Sequence, residues 1–227
     1  MFSAWLTFMV SALFIYLAGT RLSGSAEKIA KETGLGGFWV GLVILPLSTS
    51  LPELTASWRA ISLGAPDLAV GNFLGSNIFN LAIIALIDLV QGEGAVFKLI
   101  SKSHKTTALI VMFMTSLVIV GMLLPWQIFH LSPITPLIFI FYLVMGRYFL
   151  QNKVEEETGP KANDNKVLLK SILTYLVSSA VIVIAAINLA DAANVIAKST
   201  GLGETFVGSI FLAVSTSLPE IVTATAA

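Results

Sequence analysis

The string STSLPE occurs twice in the chain, at residues 48–53 and 215–220, which is an offset of 167 positions. Other stretches match at the same offset: TGLG at 33–36 matches TGLG at 200–203, and Val40-Gly41 matches Val207-Gly208. Shared hydrophobicity does not place so many identities at one offset. The pattern therefore indicates an internal duplication.

The composition is too apolar for a water-soluble globule. Of the 227 residues 56% are hydrophobic and 11% are charged, and the mean hydropathy is +0.89. Because the chain has no cysteine, a thiolate metal site is excluded. The apolar runs lack the alternation of barrel strands, so the sequence predicts an all-α polytopic membrane protein. Runs long enough to cross a bilayer, about 20 residues each, lie near 2–20, 36–62, 67–90, 106–124, 131–150, 168–190 and 203–227.

Basic residues are unevenly distributed over the loops between these seven predicted spans. Only Arg59 and Lys198 fall on the side of the N-terminus. The positive-inside rule therefore predicts an N-terminus outside and a cytoplasmic loop at 151–167. We expect the membrane to be the (inner) membrane of a bacterial or archaeal cell. The basic residues on the opposite side are Arg21, Lys28, Lys31, Lys98, Lys102, Lys105, Arg147, Lys153, Lys161, Lys166 and Lys170.

The two copies of STSLPE fall in spans two and seven, so they cross the membrane in opposite directions. Inverted repeats of this kind are typical of secondary transporters, whose substrate site lies near the midplane between helices interrupted by Pro or Gly. We predict a first five-helix repeat over 1–150 with its motifs at about 36–90, a linker at 151–167, and an incomplete second repeat over 168–227. Equal halves would require roughly 90 further residues and three spans, so we expect a fragment or completion by another chain, including self-association. A duplication retained only for helix packing is the alternative.

Glu53 and Glu220 are the strongest functional candidates. A carboxylate in the middle of a membrane costs about 2.5–3.5 kcal/mol on insertion scales, so two at equivalent depth need a compensating role. The proline before each acid cannot donate a backbone hydrogen bond and is expected to break the helix. The alternative for the acids is pairing with a basic residue such as Arg59, and the alternative for the hydroxyls is local bonding to the helix backbone. The hydroxyl candidates are Thr49, Thr216, Ser50 and Ser217.

Span three carries GNFLGSN at 71–77, in which Gly71 and Gly75 permit close approach of a neighbouring helix. Asn77 is the preferred ligand candidate among its polar residues. Asn72 and Asn80 fit interhelical packing and a site role equally well. For Asp67, at the start of the span, the favoured role is a helix-dipole partner, and Asp88 is expected near the membrane interface.

The two carboxylates and their hydroxyl neighbours predict exchange of cations. Hard oxygen ligands of this kind suit calcium, and sodium can share them. An empty site with two negative charges resists enclosure in a low-dielectric barrier, whereas a divalent ion, or several monovalent ions or protons, neutralises it. Only loaded forms would then cross, which gives obligatory exchange.

These strings resemble the cation/calcium antiporter superfamily, specifically its sodium/calcium exchanger branch, whose paired alpha-repeats have the forms GTSxPE and GNxxGSN. STSLPE stands here twice and GNFLGSN once, and the resemblance covers spans two, three and seven. It implies that each acid is a central cation ligand, that Thr and Ser hydroxyls contribute, and that the GSN asparagine lines the site. The implied site residues are Glu53, Glu220, Thr49, Thr216, Ser50, Ser217, Ser76 and Asn77.

The sequence departs from the family pattern at a few positions. Ser48 and Ser215 replace the family glycine, and Pro46 stands where a small residue is expected, although its repeat partner Ala213 fits. These departures could alter ion preference. The proton/calcium branch generally has a different repeat pattern, which favours the sodium/calcium branch.

We therefore expect a secondary active antiporter that exchanges calcium for sodium by alternating access in the lipid bilayer, with no cofactor, enzymatic activity or nucleic-acid partner. Calcium/proton and potassium-dependent exchange remain open, and a cation channel is a weaker alternative. A serine hydrolase is disfavoured because His104 and His130 lie in or near loops, away from the serines. A purely structural membrane protein is the remaining alternative.

Overall fold

A computed structural model describes residues 1–33, 45–91, 102–124, 132–151 and 164–221. Within these ranges the regular elements are helices, and there is no β-strand. The linker residues 152–163 and residues 34–44 of the first repeat lie outside them. The helices are α1 Phe2–Thr33, α2 Leu45–Thr49, α3 Leu51–Ser62, α4 Pro66–Gln91, α5 Lys102–Leu123, α6 Ile134–Gln151, α7 Asn165–Thr200, α8 Glu204–Phe206 and α9 Ala213–Thr216, with a π-helical segment Val207–Leu212 before α9.

Three of the described helices are long and apolar enough to span a bilayer: Phe2–Thr33, Pro66–Val90 and Asn165–Thr200. Shorter apolar helices occupy Ala108–Leu123, Ile134–Met145 and Glu204–Thr216. These observations confirm the predicted class, an all-α polytopic integral membrane protein. At 1.5 Å per residue, α1 and α7 are about 48 and 54 Å long, so both extend beyond the predicted spans and beyond a hydrocarbon core of about 30 Å.

The chain forms two compact units. The first contains α1–α4 and α7–α9, and the second contains α5 and α6, whose Phe113 and Phe141 rings lie 5.1 Å apart. Both copies of STSLPE belong to the first unit. The predicted division at 1–150, 151–167 and 168–227 follows the repeat rather than the packing, and it stays a prediction.

Helices α1 and α7 form the largest helix interface of the first unit. Their buried faces correspond at the repeat offset: Ile15 and Ile182, like Leu22 and Leu189, are fully buried. Alanine and serine fill the other equivalent positions, which lets the two helices approach closely. The duplication therefore extends to helices whose sequences share few identities. Further buried pairs include Ala4 and Ser171, Ser11 and Ser178, Ala18 and Ala185, Ser23 and Ala190, and Ala26 and Ala193.

The two equivalent helices run in opposite directions. Along the groove between them, Leu6 of α1 lies beside Asn188 of α7, whereas Arg21 lies beside Leu173. Residue numbers therefore increase along α1 in the direction in which they decrease along α7. This antiparallel arrangement is the geometry of an inverted repeat.

Both motif-bearing segments contain an interrupted helix at the same repeat position. Ser50 separates α2 from α3 with φ −84° and ψ 1°, and Ser217 ends α9 with φ −89° and ψ 12° before helical residues 218–221. Pro52 and Pro219, two residues after each break, are fully buried. The predicted discontinuous helices are therefore confirmed at both copies.

Helix α4 packs directly against the backbone of the π-helical segment. A methyl group on Gly71 would lie 2.7 Å from the Thr205 carbonyl oxygen, and one on Gly75 would lie 2.6 Å from Ser209 Cα. Real side chains essentially never approach backbone so closely. The close approach predicted from Gly71 and Gly75 is therefore confirmed, with Gly208 on the opposing surface.

The second TGLG string has a local structural role at the end of α7. Gly201 adopts a left-handed conformation with φ 72°, and its N–H donates to the Ala197 carbonyl at 3.2 Å. A glycine in this conformation is a common helix C-terminal cap. The chain can therefore turn after Thr200 and re-enter the unit through α8.

Candidate cation-binding site

Glu53 lies at the start of α3, just after the break at Ser50, and only 6% of its surface is exposed. Its Oε1 atom accepts a hydrogen bond from the Ser217 hydroxyl at 3.0 Å. Its Oε2 atom is buried and has no hydrogen-bond partner among the residues that the structure describes. A buried carboxylate oxygen of this kind is available to a cation.

Glu220 of the other copy also contacts a hydroxyl of the opposite string, although at a different position of the repeat from Ser217. Its carboxylate is hydrogen-bonded by the Thr49 hydroxyl and interacts electrostatically with Glu53. Each acid is therefore contacted by a hydroxyl of the opposite STSLPE string. Each acid lies three residues after a helix break, at Ser50 or Ser217.

Asn72 of α4 joins the two copies from one fully buried position. Its Nδ2 atom donates to Ser57 Oγ at 2.9 Å and to the Glu53 carbonyl oxygen at 3.4 Å. Its Oδ1 atom lies 3.2 Å from the Thr216 hydroxyl, which also points to the Ala213 carbonyl at 3.2 Å. One carboxamide thus binds the first copy as a donor and the second as an acceptor.

The remaining polar residues of α4 do not all face the same way. The Ser76 hydroxyl is buried and donates to the Asn72 carbonyl at 2.9 Å, the local bonding expected of a helical serine. Asn80 is half-buried, two turns beyond Asn72, and its Oδ1 atom is buried without a hydrogen-bond partner in the described part of the chain. Asn77 is exposed. The face of α4 toward the acids therefore carries Asn72, Ser76 and Asn80.

The structure brings five of the eight predicted site residues together. Glu53, Glu220, Thr49, Thr216 and Ser217 lie at the meeting point of the two broken helices. Ser50, Ser76 and Asn77 are predicted residues that no hydrogen bond described above joins to either acid. The contact of Ser57 with Asn72 was not predicted, although its position one turn after Glu53 on α3 is the signal that could have indicated it.

The basic residue closest in sequence to Glu53 pairs elsewhere. Arg59 Nε lies 2.7 Å from Asp191 Oδ1 of α7, and a second guanidinium nitrogen lies 3.2 Å from Asp191 Oδ2. Both side chains are 38% exposed. Arg59 therefore neutralises Asp191, which does not support the alternative in which Glu53 is an ordinary buried ion-pair partner.

Ser48 stands at the position of the family glycine and makes a hydrogen bond that has no equivalent in the other copy. The Ser48 hydroxyl donates to the Tyr175 hydroxyl of α7 at 2.9 Å. The residue equivalent to Tyr175 at the repeat offset is Phe8 of α1, which has no hydroxyl. The bond therefore ties only the first broken helix to α7.

The chemistry of this site is that of oxygen coordination. Within the described ranges, no three His, Cys, Asp or Glu side chains come together as metal ligands. A cation here would therefore be held by the two carboxylates, with hydroxyl and carboxamide oxygens around them. Such a set suits hard cations like calcium and sodium better than transition metals.

The family model described as "Sodium/calcium exchanger protein" matches residues 3–150 and 170–227. These two ranges include all of the helices from α1 to α9 except Phe2, Gln151 and the first five residues of α7. No solved structure matches the chain significantly.

Several curated membrane proteins are similar to the chain. An uncharacterized membrane protein of Methanocaldococcus jannaschii is 25% identical over 97% of this chain and 70% of its own length. The sodium/calcium exchanger MaX1 of Methanosarcina acetivorans is 26% identical over 96% of this chain and 72% of its own. The inner membrane protein YrbG of Escherichia coli is 26% identical over 96% of this chain and 68% of its own length.

Proposed function

Since this chain belongs to the sodium/calcium exchanger protein family, a family of cation antiporters, we propose that it exchanges calcium for sodium by alternating access, with the transported ion bound between Glu53 and Glu220. The crossed hydrogen bonds carry the proposal. Ser217 of the second copy contacts Glu53 of the first at 3.0 Å, and Thr49 of the first contacts Glu220 of the second. The broken helices thereby create one site from two inverted copies.

The charge of the site supports exchange of one kind of cation for another. Two buried carboxylates that interact with each other are costly to enclose without positive charge. A calcium ion balances both charges, and so do two sodium ions. The loaded site can then be enclosed in either case, whereas the empty site resists enclosure, so each direction of movement requires a bound ion.

The proposed ligands are oxygens from three elements. Glu53, Glu220, Thr49, Thr216 and Ser217 come from the broken helices. Asn80 joins them because its buried Oδ1 atom lies on the same face of α4 as Asn72. The remaining predicted ligands, Ser50, Ser76 and Asn77, stay predictions.

The proposed orientation places the N-terminus outside and the loop at 151–167 in the cytoplasm of a bacterial or archaeal cell. It rests on the basic residues near the end of α1 and the start of α7, among them Arg21 and Lys170. Labelling a single introduced cysteine at residue 1 or 158 with an impermeant reagent tests this orientation. The absence of native cysteines makes the signal specific.

Transport is tested with the purified protein in phospholipid vesicles. Radiolabelled calcium uptake is measured under an outward sodium, potassium or proton gradient. We expect sodium to drive saturable uptake, and Glu53→Gln and Glu220→Gln each to reduce it at least tenfold. Asp67→Asn, an exposed acid at the start of α4, is the matched control and should retain uptake.

Each alternative gives a different result in the same assay. If only a proton or potassium gradient drives uptake, then that ion, and not sodium, is the counter-ion. Flux that needs no counter-ion and does not saturate would indicate a channel. The proposed site is refuted if both glutamine variants transport like the parent protein.

A further inference from the structure

A continuous groove follows the crossing of α1 and α7 on the outer surface of the first unit. Two cavities of about 470 and 340 Å³ form it, and they share Phe14 and Val181 as lining residues. Cavities of about 300–1,000 Å³ commonly hold small molecules. We call this feature the α1–α7 groove. It lies away from Glu53 and Glu220, which line neither cavity.

The groove is apolar along most of its length. Leu6, Val10 and Phe14 of α1 face Val181 and Ile184 of α7. From Leu6 to Arg21 the groove extends about 22 Å along α1, at 1.5 Å per residue. One leaflet of a bilayer contributes about half of the 30 Å hydrocarbon core, so the groove can accommodate a lipid chain for its full depth.

One end of the groove is basic. Arg21 lines it directly, and Lys170 lies one helical turn before the lining residue Thr174. Lys28 and Lys166 continue the same faces of α1 and α7 by helical periodicity, and all four basic residues are exposed. Among the residues that the structure describes, none of the four forms an ion pair with a carboxylate, because the ion pair found there is Arg59–Asp191.

Glu27 of α1 is an exposed acid at this end, whereas the other two acids that the structure describes there, Glu32 and Asp164, are engaged elsewhere. The Glu32 carboxylate is buried and accepts the Asp164 N–H at 2.8 Å, and the Asp164 side chain accepts the Lys166 and Val167 N–H groups as the N-cap of α7. These bonds hold the two carboxylates at the helix ends. Among the described residues, the four exposed basic residues outnumber these three acids, so this end of the groove carries a net positive charge.

We propose that the α1–α7 groove binds an anionic phospholipid, with an acyl chain between the two helices and the headgroup phosphate at Arg21 and Lys170. The basic end of the groove complements an anionic headgroup. The apolar part is as deep as one leaflet and fits an acyl chain. Basic sites between membrane helices bind acidic lipid headgroups in the same way. Inorganic phosphate lacks the acyl chain, and a zwitterionic lipid lacks the net negative charge. The proposal does not depend on cation exchange.

Binding is measured on the purified protein in detergent by native mass spectrometry, with phosphatidylglycerol, phosphatidylcholine or inorganic phosphate added at equal concentration. We expect retention of phosphatidylglycerol in preference to phosphatidylcholine and no retention of phosphate. Because each basic residue near a membrane surface contributes about 1 kcal/mol, Arg21→Gln and Lys170→Gln should each weaken phosphatidylglycerol binding about fivefold.

Two further variants separate the groove from general surface charge. Val177→Trp fills the groove between Arg21 and Val181 without changing any charge, and it should weaken phosphatidylglycerol binding. Lys198→Gln removes an exposed charge at the opposite end of α7 and should leave binding unchanged. Melting temperatures of all variants show whether the fold is retained.

Several outcomes would overturn the proposal. Equal retention of the two lipids would show that the headgroup charge does not contribute to binding. Unchanged binding in the Arg21→Gln Lys170→Gln double variant would show that the lipid binds elsewhere. Unchanged binding in Val177→Trp would show that the acyl chain does not occupy the groove. Retention of inorganic phosphate alone would reduce the site to an anion site.

Discussion

Asn72 is the residue whose side chain connects the two halves of the proposed site. Its amide group donates to the first copy, and its oxygen is the acceptor offered to Thr216 of the second copy. Among uncharged side chains, only those of asparagine and glutamine carry an NH2 donor and a carbonyl acceptor on one planar group. The position therefore requires an amide rather than only a polar residue.

Replacing Asn72 by alanine should destabilise the protein. The change leaves the buried hydroxyls of Ser57 and Thr216 without this partner, which should lower the free energy of unfolding by about 1–3 kcal/mol. For a chain of this size, each kcal/mol lowers the melting temperature by about 2–4 °C. Thermal unfolding in detergent measures it. Asn188→Ala is the control, because that exposed amide bonds only to its own helix, and an equal loss there would contradict the assignment.

The two motif serines should differ in their effect on cation binding. Ser217 is fully buried against Glu53, whereas its repeat partner Ser50 is exposed. Because a hydrogen bond to a charged group is worth about 1.5–3 kcal/mol, Ser217→Ala should raise the calcium dissociation constant about tenfold or more and Ser50→Ala much less. Equilibrium dialysis with radiolabelled calcium measures both, and equal effects would refute the asymmetry.

The sequence predicted a site at the two acids, which the structure places within range of electrostatic interaction, but the sequence could not determine which asparagine of α4 faces them. Helix α4 is predominantly apolar and its polar residues do not form a single stripe, so amphipathicity does not define its rotation about its own axis. The family pattern directed attention to Asn77, which is exposed, rather than to Asn72. The rotation is determined by the small residues Gly71 and Gly75, which face the π-helical segment and place Asn72 on the buried side.

At the level of elements, the sequence predicted the breaks better than the helix ends. Proline chemistry located the interruptions near Ser50 and Ser217, because the cause is local. The spans predicted for α1 and α7 were too short as helices, since hydropathy marks only the part in hydrocarbon. Charged helix formers such as Lys28 and Lys198 continue the helices beyond it.

Packing of α4 against the π-helical segment should not tolerate a side chain at Gly75. An added methyl group would meet Ser209 Cα at 2.6 Å and Ala213 Cβ at 2.8 Å, so the helices must separate. Overpacking of this kind costs about 1–3 kcal/mol, and Gly75→Ala should lower the melting temperature. Gly24→Ala is the matched control.

Gly24 lies within α1, and a methyl group there has no atom within 4 Å. Alanine should therefore be neutral or stabilising by up to about 1 kcal/mol through helix propensity. If both alanine variants unfold at the same temperature, close packing at Gly75 is not important for stability.

At the scale of the whole molecule, the ion pair Arg59–Asp191 joins residues that are far apart in the chain. Single reversals, Arg59→Asp or Asp191→Arg, should lower the melting temperature because each places like charges together. The double reversal should restore it, with a coupling energy of about 0.2–1 kcal/mol, since both side chains are 38% exposed. Failure of the double reversal to recover stability would contradict the pairing.

Sequence alone could show that the halves are inverted, but it could not show which atoms of the halves meet. The offset of 167 residues and the count of spans predict opposite directions for the two copies. The contact between Glu53 and Ser217 depends on the crossing of α1 and α7 and on the two breaks. Those features arise from packing of the complete unit, which no local pattern encodes.

The crossed hydrogen bonds also bear on the ancestry of such a chain. A half-length ancestor would carry an acid whose hydroxyl partner belongs to a second molecule, inserted in the opposite direction. Fusion of the two genes makes that partnership permanent. After fusion, a substitution in one copy of STSLPE alters the surroundings of the acid in the other, so selection acts on both together. The two strings are still identical letter for letter, whereas the buried faces of α1 and α7 have diverged around the same positions.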